Sequence, residues 1–229
     1  MRIAILFSGG KDSTYTILKS FEDGYKVKYL FTVKPKNKDS YMFHSVALDI
    51  TKIQAELMNI KHFYIEVSGE KEKEVEELIE KLREFSEEID AIGIGGIKSK
   101  YQYIRFKKVC DELNLKLYMP LHNIDCEKYW RLLLEKKFKI IITKVSAEGL
   151  DKEFLGKIID EKILNELINK SKKFGFDLCF EGGEAETLVL DCPLFKREIK
   201  LKKFKLISEN LSHFLEIEDI EIVDKSNSL

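Results

Sequence analysis

The sequence predicts an α/β fold, a doubly wound parallel sheet followed by a smaller α+β domain. Three observations predict it. Short apolar runs alternate with amphipathic stretches through the first two-thirds of the 229-residue chain, which is typical of a parallel sheet with helices on both faces. A glycine-rich turn directly follows the first apolar run, Ile3 to Phe7. After Pro193 the pattern changes to the alternation expected of strands with one exposed face.

The elements follow in order along two predicted domains. The first predicted domain, residues 1–118, contains the glycine-rich turn, and the second spans 119–229. Predicted strands of the first domain are 3–7, 27–33, 63–67, 91–94 and 115–118, with helices after the glycine-rich turn and over 44–58, 70–86 and 99–113. The second domain has predicted helices near 126–137 and 160–174, and strands at 140–143, 198–207 and 214–223. Trp130 lies among leucines in the first of those helices and is expected in the core.

Composition narrows the class of protein. The chain has 39 Lys and Arg against 40 Asp and Glu, which gives no overall attraction for nucleic acid and disfavours tRNA as a substrate. No apolar stretch has the length of a signal peptide or a membrane span, so we expect a cytoplasmic protein without a membrane partner. The four cysteines include no C-x-x-C pair. We therefore expect buried, inert thiols, without structural zinc or disulfides.

The segment Ser8-Gly-Gly-Lys-Asp-Ser13, here called the phosphate loop, predicts a site for phosphates. It joins the first strand to a helix that ends near Gly24. Gly9 and Gly10 allow the backbone to approach an anion, and a helix N-terminus offers unpaired N–H groups and a positive dipole end. The spacing excludes a Walker A loop, which has four residues between its glycines. Asp12 has two open roles, either holding Mg²⁺ or capping the helix.

This segment resembles the PP-loop of the N-type ATP pyrophosphatases, which have a HUP-like α/β fold. That family cleaves ATP between the α- and β-phosphates and adenylates an oxygen of the substrate. The resemblance implies that Ser8, Gly9, Gly10, Asp12 and Ser13 surround the pyrophosphate, and that Lys11 and Mg²⁺ offset its charge.

A second segment, Glu181-Gly-Gly-Glu-Ala-Glu186, is called the acidic run. Three carboxylates in six residues are costly unless a cation lies among them, although an exposed acidic turn before a strand would have the same sequence. Beside a PP-loop, the run resembles the diphthamide-synthesis branch of the family, the diphthine–ammonia ligases. Segments 95–102 and 146–156 and Asp125 match the same branch, and the resemblance is weakest over 36–43 and after 200. The chain departs from the branch at Ala185 and at His122-Asn123, where aromatic residues are usual.

The resemblance implies that diphthine on translation elongation factor 2 is adenylated by ATP and that ammonia then displaces AMP. The implied cofactors are ATP and Mg²⁺, with Asp12 as the metal ligand, and the implied partners are the diphthine form of the factor and ammonium. The acidic run either binds the trimethylammonium of diphthine or holds ammonium and takes its proton, and these two roles stay open. Oligomeric state also stays open, a homo-oligomer included. The candidate catalytic residues are Lys11, Asp12, Glu184 and Glu186; the candidate nucleotide contacts are Ser8 through Ser13, His44 and Gly95; the candidate substrate contacts are Tyr101, Gln102, Glu181, Gly182, Gly183, Glu184, Glu186 and Thr187.

Three other functions compete with this one. A PP-loop enzyme that modifies tRNA would often carry paired cysteines and a basic surface, and this chain has neither. A small-molecule synthetase of the amidotransferase type would normally need a glutaminase segment or partner to make ammonia, and this chain has no N-terminal catalytic cysteine. A nucleotide-binding module without catalysis is disfavoured by the intact phosphate loop and the acidic run.

Overall fold

The first half of the chain forms a five-stranded parallel sheet. The structure is a computed structural model that describes residues 1–35, 45–70, 73–96 and 100–225, without the side chains of 35, 45–49 and 100–102. The strands are β1 (Arg2–Leu6), β2 (Lys26–Pro35), β3 (Lys61–Val67), β4 (Ala91–Gly93) and β5 (Lys116–Tyr118). They pair in the order β3-β2-β1-β4-β5, all parallel. This order, which reverses direction beside β1, confirms the predicted doubly wound sheet.

Four helices connect these strands: α1 (Lys11–Glu22), α2 (Ser45–Met58), α3 (Lys73–Arg83) and α4 (Lys100–Glu112). Because parallel crossovers are right-handed, α1 and α2 cover one face of the sheet, and α3 and α4 cover the other. Leu78, Ile79 and Leu82 of α3 are buried at the helical spacing that the sequence shows. They share a core cluster with Phe31 of β2 and Val109 of α4. The central strands are apolar on both sides because both of their faces are covered.

The second half of the chain forms a mixed α+β unit, as predicted. Its elements are α5 (Cys126–Glu135), β6 (Lys139–Val145), a short 3₁₀ turn (Lys152–Phe154), α6 (Glu161–Phe174), β7 (Ala185–Asp191), β8 (Glu198–Glu209) and β9 (Ser212–Val223). The four strands form an antiparallel sheet in the order β7-β6-β9-β8. The long β8–β9 hairpin places lysines along its edge strand, a common protection against pairing between molecules.

The ends of α5 and α6 are set by local sequence. Asp125 caps α5 by accepting a hydrogen bond from the Lys128 N–H at 2.9 Å, and Asp160 caps α6 in the same way through the Ile163 N–H at 2.8 Å. Gly175 ends α6 at φ +81°, in the left-handed region that glycine adopts without a Cβ penalty. Asp125, which the resemblance had singled out, therefore has a structural role as a helix cap.

The chain divides by its contacts into two compact units. The first contains Met1–Ser8 and Asp12–His122, and the second contains Asn123–Leu229 together with Gly9–Lys11. The three middle residues of the phosphate loop thus belong with the second unit, a feature that the sequence pattern did not indicate. Among the ranges described above, no helix has the length and apolarity needed to cross a bilayer.

Candidate functional site

The phosphate loop lies where the sequence predicts it, between the end of β1 and the start of α1. Gly9 has φ +80°, a conformation that side chains other than glycine rarely adopt. The Ser8 N–H donates to Ser13 Oγ at 3.2 Å, and the two hydroxyl oxygens are also 3.2 Å apart. Ser8 is exposed, whereas Ser13 is buried at the first turn of α1. The two serines therefore hold the ends of the loop together and leave one hydroxyl at the surface.

Gly95 contacts the start of α1 closely. A Cβ atom added at this position would lie 2.7 Å from the Asp12 carbonyl carbon and 2.8 Å from the Ser13 nitrogen. Both are backbone atoms, so they cannot move aside as a flexible side chain would. Gly95 follows β4, which pairs directly with β1, and the sheet therefore brings it beside the phosphate loop. The resemblance had suggested this residue, and the structure explains why it is glycine.

The middle of the phosphate loop is bonded to β7. The Gly9 carbonyl accepts a hydrogen bond from the Val189 N–H at 3.0 Å, and the Lys11 N–H donates to Thr187 Oγ1 at 3.2 Å. Thr187 is partly buried and follows directly on the acidic run. Two segments more than 160 residues apart in sequence are thus neighbours within the second unit.

Lys11 is buried, with 2% of its surface exposed. The side chain therefore lies in the core and not on an exposed loop. Its ammonium donates to the Cys179 carbonyl at 2.8 Å and lies over the rings of Trp130 and Phe180. The physical reason is that Lys11 is the first residue of α1 and its side chain enters the core of the second unit.

The acidic run forms a turn that Glu184 stabilises from within. The Glu184 carboxylate accepts hydrogen bonds from the Gly182 N–H at 2.8 Å and the Asp177 N–H at 3.3 Å. The Glu184 carbonyl also accepts from the Ser146 N–H at 2.8 Å. Gly183, at φ +87°, allows the chain to reverse between these bonds. These backbone N–H groups thus stabilise the negative charge of the Glu184 carboxylate, one of the three acids in the run.

Glu186 and Glu181 have different surroundings. The Glu186 side chain is about half exposed and lies 3.4 Å from the Lys144 ammonium on the neighbouring strand β6. Lys144 thus places a positive charge beside one of the three acids. Glu181 is partly buried, and Gly182 and Gly183 are exposed. Of the three acids, Glu186 thus combines the greatest exposure with a neighbouring positive charge.

Two cysteines contradict the expectation of free thiols. Cys126 and Cys179 form a disulfide, with their Cα atoms 5.3 Å apart, although 53 positions separate them in sequence. The start of α5 and the segment before the acidic run bring them together, a proximity that spacing along the chain cannot indicate. With Asp177 they form a group of metal-binding residue types, but disulfide sulfurs are not thiolate ligands. Cys110 and Cys192 are free and buried as predicted, and burial raises the pKa of their thiols to about 11 and about 12.

Three other candidates are placed only in part. His44 lies outside the described residues, and Tyr101 and Gln102 lie in the first turn of α4, where only their backbone is described. Tyr103, in the same helix, stacks on His122 with ring centres 6.0 Å apart. Phe180, directly before the acidic run, is 7% exposed and faces the Lys11 ammonium.

Sequence reasoning missed the contacts made by α5. Trp130 was predicted in the core and is fully buried, but its ring also faces the Lys11 ammonium at 5.6 Å. The neighbouring Tyr129 hydroxyl donates to the Lys11 carbonyl at 3.3 Å. Both residues lie on the buried stripe of α5. The pairing of two adjacent aromatic residues in an otherwise leucine-rich stripe was the available signal.

Comparisons with known proteins give the family of the chain. The family model of the diphthamide synthase N-terminal domain matches residues 1–117, and that of the diphthamide synthase C-terminal domain matches residues 125–223. The chain is 32% identical to a diphthine–ammonia ligase of Homo sapiens, over all of this chain and 95% of that protein. It is 34% identical to the diphthine–ammonia ligase of Rattus norvegicus, over 87% of this chain and 82% of that protein.

One solved structure, described as a predicted subunit of tRNA methyltransferase from Methanocaldococcus jannaschii, matches with a TM-score of 0.45. Its sequence identity is 18%, over 84% of this chain and 98% of that one. This similarity is too low to add to the functional argument. The family models cover both units, and the relatives align along nearly their whole length, so the chain belongs to the diphthamide synthase family.

Proposed function

We propose that the chain catalyses the ATP-dependent amidation of diphthine on translation elongation factor 2, which yields diphthamide. One observation carries this proposal: both diphthamide synthase domains match, over 1–117 and 125–223, and each contains one of the two motifs. The relatives that align over both units are named diphthine–ammonia ligases. The reaction forms a C–N bond and therefore requires an activated carboxylate and a neutral amine.

In the first step, an oxygen of the diphthine carboxylate attacks the α-phosphorus of ATP, and pyrophosphate leaves. The phosphate loop is the proposed pyrophosphate site, because it ends at the N-terminus of α1 and has glycines at its centre. Ser8 is an exposed residue of this loop, and its hydroxyl is proposed to donate to a phosphate oxygen. Gly95 contributes by leaving room for the backbone of Asp12 and Ser13.

The chemistry of the donors fits Mg²⁺. Asp12 places a partly buried carboxylate in the first turn of α1, and Mg²⁺ is usually bound by one or two carboxylates together with substrate phosphates. When bound, Mg²⁺ would neutralise charge on the phosphates. Asp12 is the residue proposed to hold it.

In the second step, ammonia attacks the carbonyl carbon of the acyl-adenylate, and AMP leaves as the amide forms. Ammonium must first lose a proton, because only neutral ammonia has a free electron pair. Glu186 is the proposed acceptor, since its side chain is about half exposed and is the most exposed of the three acids. Glu184 would act by holding the shape of the acidic run, through the Gly182 and Asp177 N–H groups.

The test uses the purified chain with ATP, ammonium and elongation factor 2 that carries diphthine. We expect AMP and pyrophosphate as products, and mass spectrometry of the modified peptide should show the amide. Asp12→Asn should lower the rate by roughly 10²-fold or more while the protein stays folded. ADP and phosphate as products would contradict the proposal, and stimulation of ATP consumption by tRNA alone would favour a tRNA-modifying enzyme.

A further inference from the structure

The backbone of Lys11 is fixed by two residues of the second unit. Its N–H donates to Thr187 Oγ1 at 3.2 Å, and its carbonyl accepts from the Tyr129 hydroxyl at 3.3 Å. The Gly9 carbonyl is fixed as well, by the Val189 N–H at 3.0 Å. Residues 9–11 are therefore held on both sides, by β7 and by α5.

The side chain of Lys11 lies in an aromatic box, formed by the rings of Trp130 and Phe180 and the Cys179 carbonyl. The ammonium nitrogen is 5.6 Å from the Trp130 ring centre, 5.5 Å from that of Phe180 and 2.8 Å from the carbonyl oxygen. The two rings meet edge to face, with centres 5.9 Å apart. Both rings attract a cation through their faces, which offsets part of the cost of burying the charge.

The walls of the box are built independently of Lys11. Trp130 donates its indole N–H to the Leu178 carbonyl at 2.9 Å. Phe180 has φ +66°, an uncommon conformation for an aromatic residue, and its N–H bonds the Asp177 carbonyl at 2.9 Å. A strained residue persists only where its surroundings fix it, so the box is a preformed receptor for the ammonium.

We propose that Lys11 is a positioning residue: its ammonium, held in the aromatic box, fixes the phosphate loop, and it does not contact the pyrophosphate. The two rings hold the ammonium against the Cys179 carbonyl. The hydrogen bonds of the Gly9 and Lys11 backbone hold the adjoining loop in a fixed position. A well-placed backbone is what an anion site of glycines and a helix N-terminus requires. The inference rests on the proposed function for its catalytic consequence, but the anchor itself can be measured without the diphthine substrate.

The first measurement uses intrinsic fluorescence, because Trp130 is the one tryptophan of the chain. Lys11→Met keeps the aliphatic stem and removes the charge beside the indole. We expect a shifted Trp130 emission in a protein that still melts cooperatively. The control is Lys173→Met, because Lys173 is exposed and its ammonium lies 5.0 Å from the centre of the Phe174 ring. An emission spectrum that Lys11→Met leaves unchanged would overturn the proposal.

The second measurement is a double-mutant cycle on ATP affinity, determined by calorimetry. Lys11→Met and Phe180→Leu should each weaken ATP binding about tenfold, which is about 1.4 kcal/mol. The double variant should be no weaker than the worse single variant, because both changes release the same anchor. Additive losses would show that the charge acts on the phosphates and would overturn the proposal. Phe180→Leu is the milder change, and it tests the anchor by itself if Lys11→Met does not fold. Unchanged ATP affinity in Phe180→Leu would then contradict the proposal.

The two proposals fail in different ways. If the cycle behaves as expected but the diphthine-bearing factor is not amidated, the proposed function fails and the anchor stands. If the factor is amidated normally by Lys11→Met and Phe180→Leu, with unchanged KM for ATP, the anchor fails and the proposed function stands.

Discussion

Gly95 lies so close to Asp12 that a Cβ atom at this position would be 2.7 Å from the Asp12 carbonyl carbon. The contact joins the end of β4 to the first turn of α1, through two strands that pair directly. Because the clashing atoms are backbone, a side chain here would have to displace the start of α1. The shape of the phosphate loop therefore depends on a glycine that lies more than 80 residues away in sequence.

Gly95→Ala should displace the phosphate loop. Overpacking of this kind costs about 1–3 kcal/mol in the free energy of unfolding, and we expect ATP affinity to fall more steeply than stability. Calorimetry with ATP and urea unfolding measure the two effects. Gly24→Asn is the matched control, because no heavy atom lies within 4 Å of the added Cβ and asparagine tolerates positive φ. Normal ATP binding by Gly95→Ala would show that the close contact has no role in the loop.

Glu186→Gln should lower amide formation at least tenfold, about 1.4 kcal/mol in the barrier, with near-normal ATP affinity. The substitution keeps the shape and removes the proposed proton acceptor, and the amide oxygen of glutamine can still accept a hydrogen bond from Lys144. Glu166→Gln, an exposed change on α6, is the control. A collapse of ATP binding in Glu186→Gln would assign this carboxylate to the nucleotide or its metal.

Glu184→Gln should act differently, through the shape of the acidic run. Glutamine retains one acceptor oxygen for two N–H groups, at Gly182 and Asp177, so one of these bonds is lost or weakened. We expect both slower amidation and faster proteolysis or hydrogen exchange in residues 177–184. Slower amidation with unchanged exchange would contradict the structural role and make Glu184 a direct participant.

Reduction of the Cys126–Cys179 disulfide should destabilise the protein. In the chain-entropy account, a bridge across 53 positions contributes on the order of 4 kcal/mol. Urea unfolding with and without reductant measures the change in the free energy of unfolding. Reductant should have no effect on Cys126→Ser, whereas Cys110→Ala should be destabilised by reductant as much as the wild type. Alkylation of the denatured, unreduced protein should label Cys110 and Cys192 alone. Labelling of all four cysteines would contradict the bridge.

His62 should make stability depend on pH between about 6.5 and about 4. Burial, with a smaller contribution from Lys52, lowers the pKa of this imidazole to about 4. The Thr32 hydroxyl donates to the Phe7 carbonyl at 2.7 Å, so it accepts from a neutral His62 Nε2–H at 2.8 Å. Between pH 6.5 and about 4, His62 is protonated in the unfolded chain but stays neutral in the folded protein. The contribution of His62 to the free energy of unfolding is therefore complete above pH 6.5 and falls as the pH drops toward 4.

Urea unfolding at several pH values measures the His62 effect. His62→Gln keeps an N–H donor and should flatten the slope of stability against pH in this window. A slope that is the same in the wild type and His62→Gln would assign the dependence to other groups.

Much of the fold could be predicted from the sequence because its signals are local. Buried parallel strands appear as apolar runs, α3 and α6 show the spacing of their buried faces, and Gly24 and Gly175 follow the helices they end. The phosphate loop is one continuous segment of sequence, and so is the acidic run. Their positions, at the start of α1 and before β7, therefore follow from the predicted elements beside them. Short-range sterics and burial determine such features.

Tertiary structure decided what each side chain of the site contacts. A lysine in a glycine-rich loop reads as an exposed charge, but the pairing of Gly9 and Lys11 with β7 and α5 buries it beneath two rings. Cys126 and Cys179 are far apart in sequence, and their approach depends on where α5 begins relative to the turn before β7. Contacts between distant segments depend on the packing of whole elements. Residue spacing along the chain determines the elements and the motifs, and the geometry of packing determines their partners.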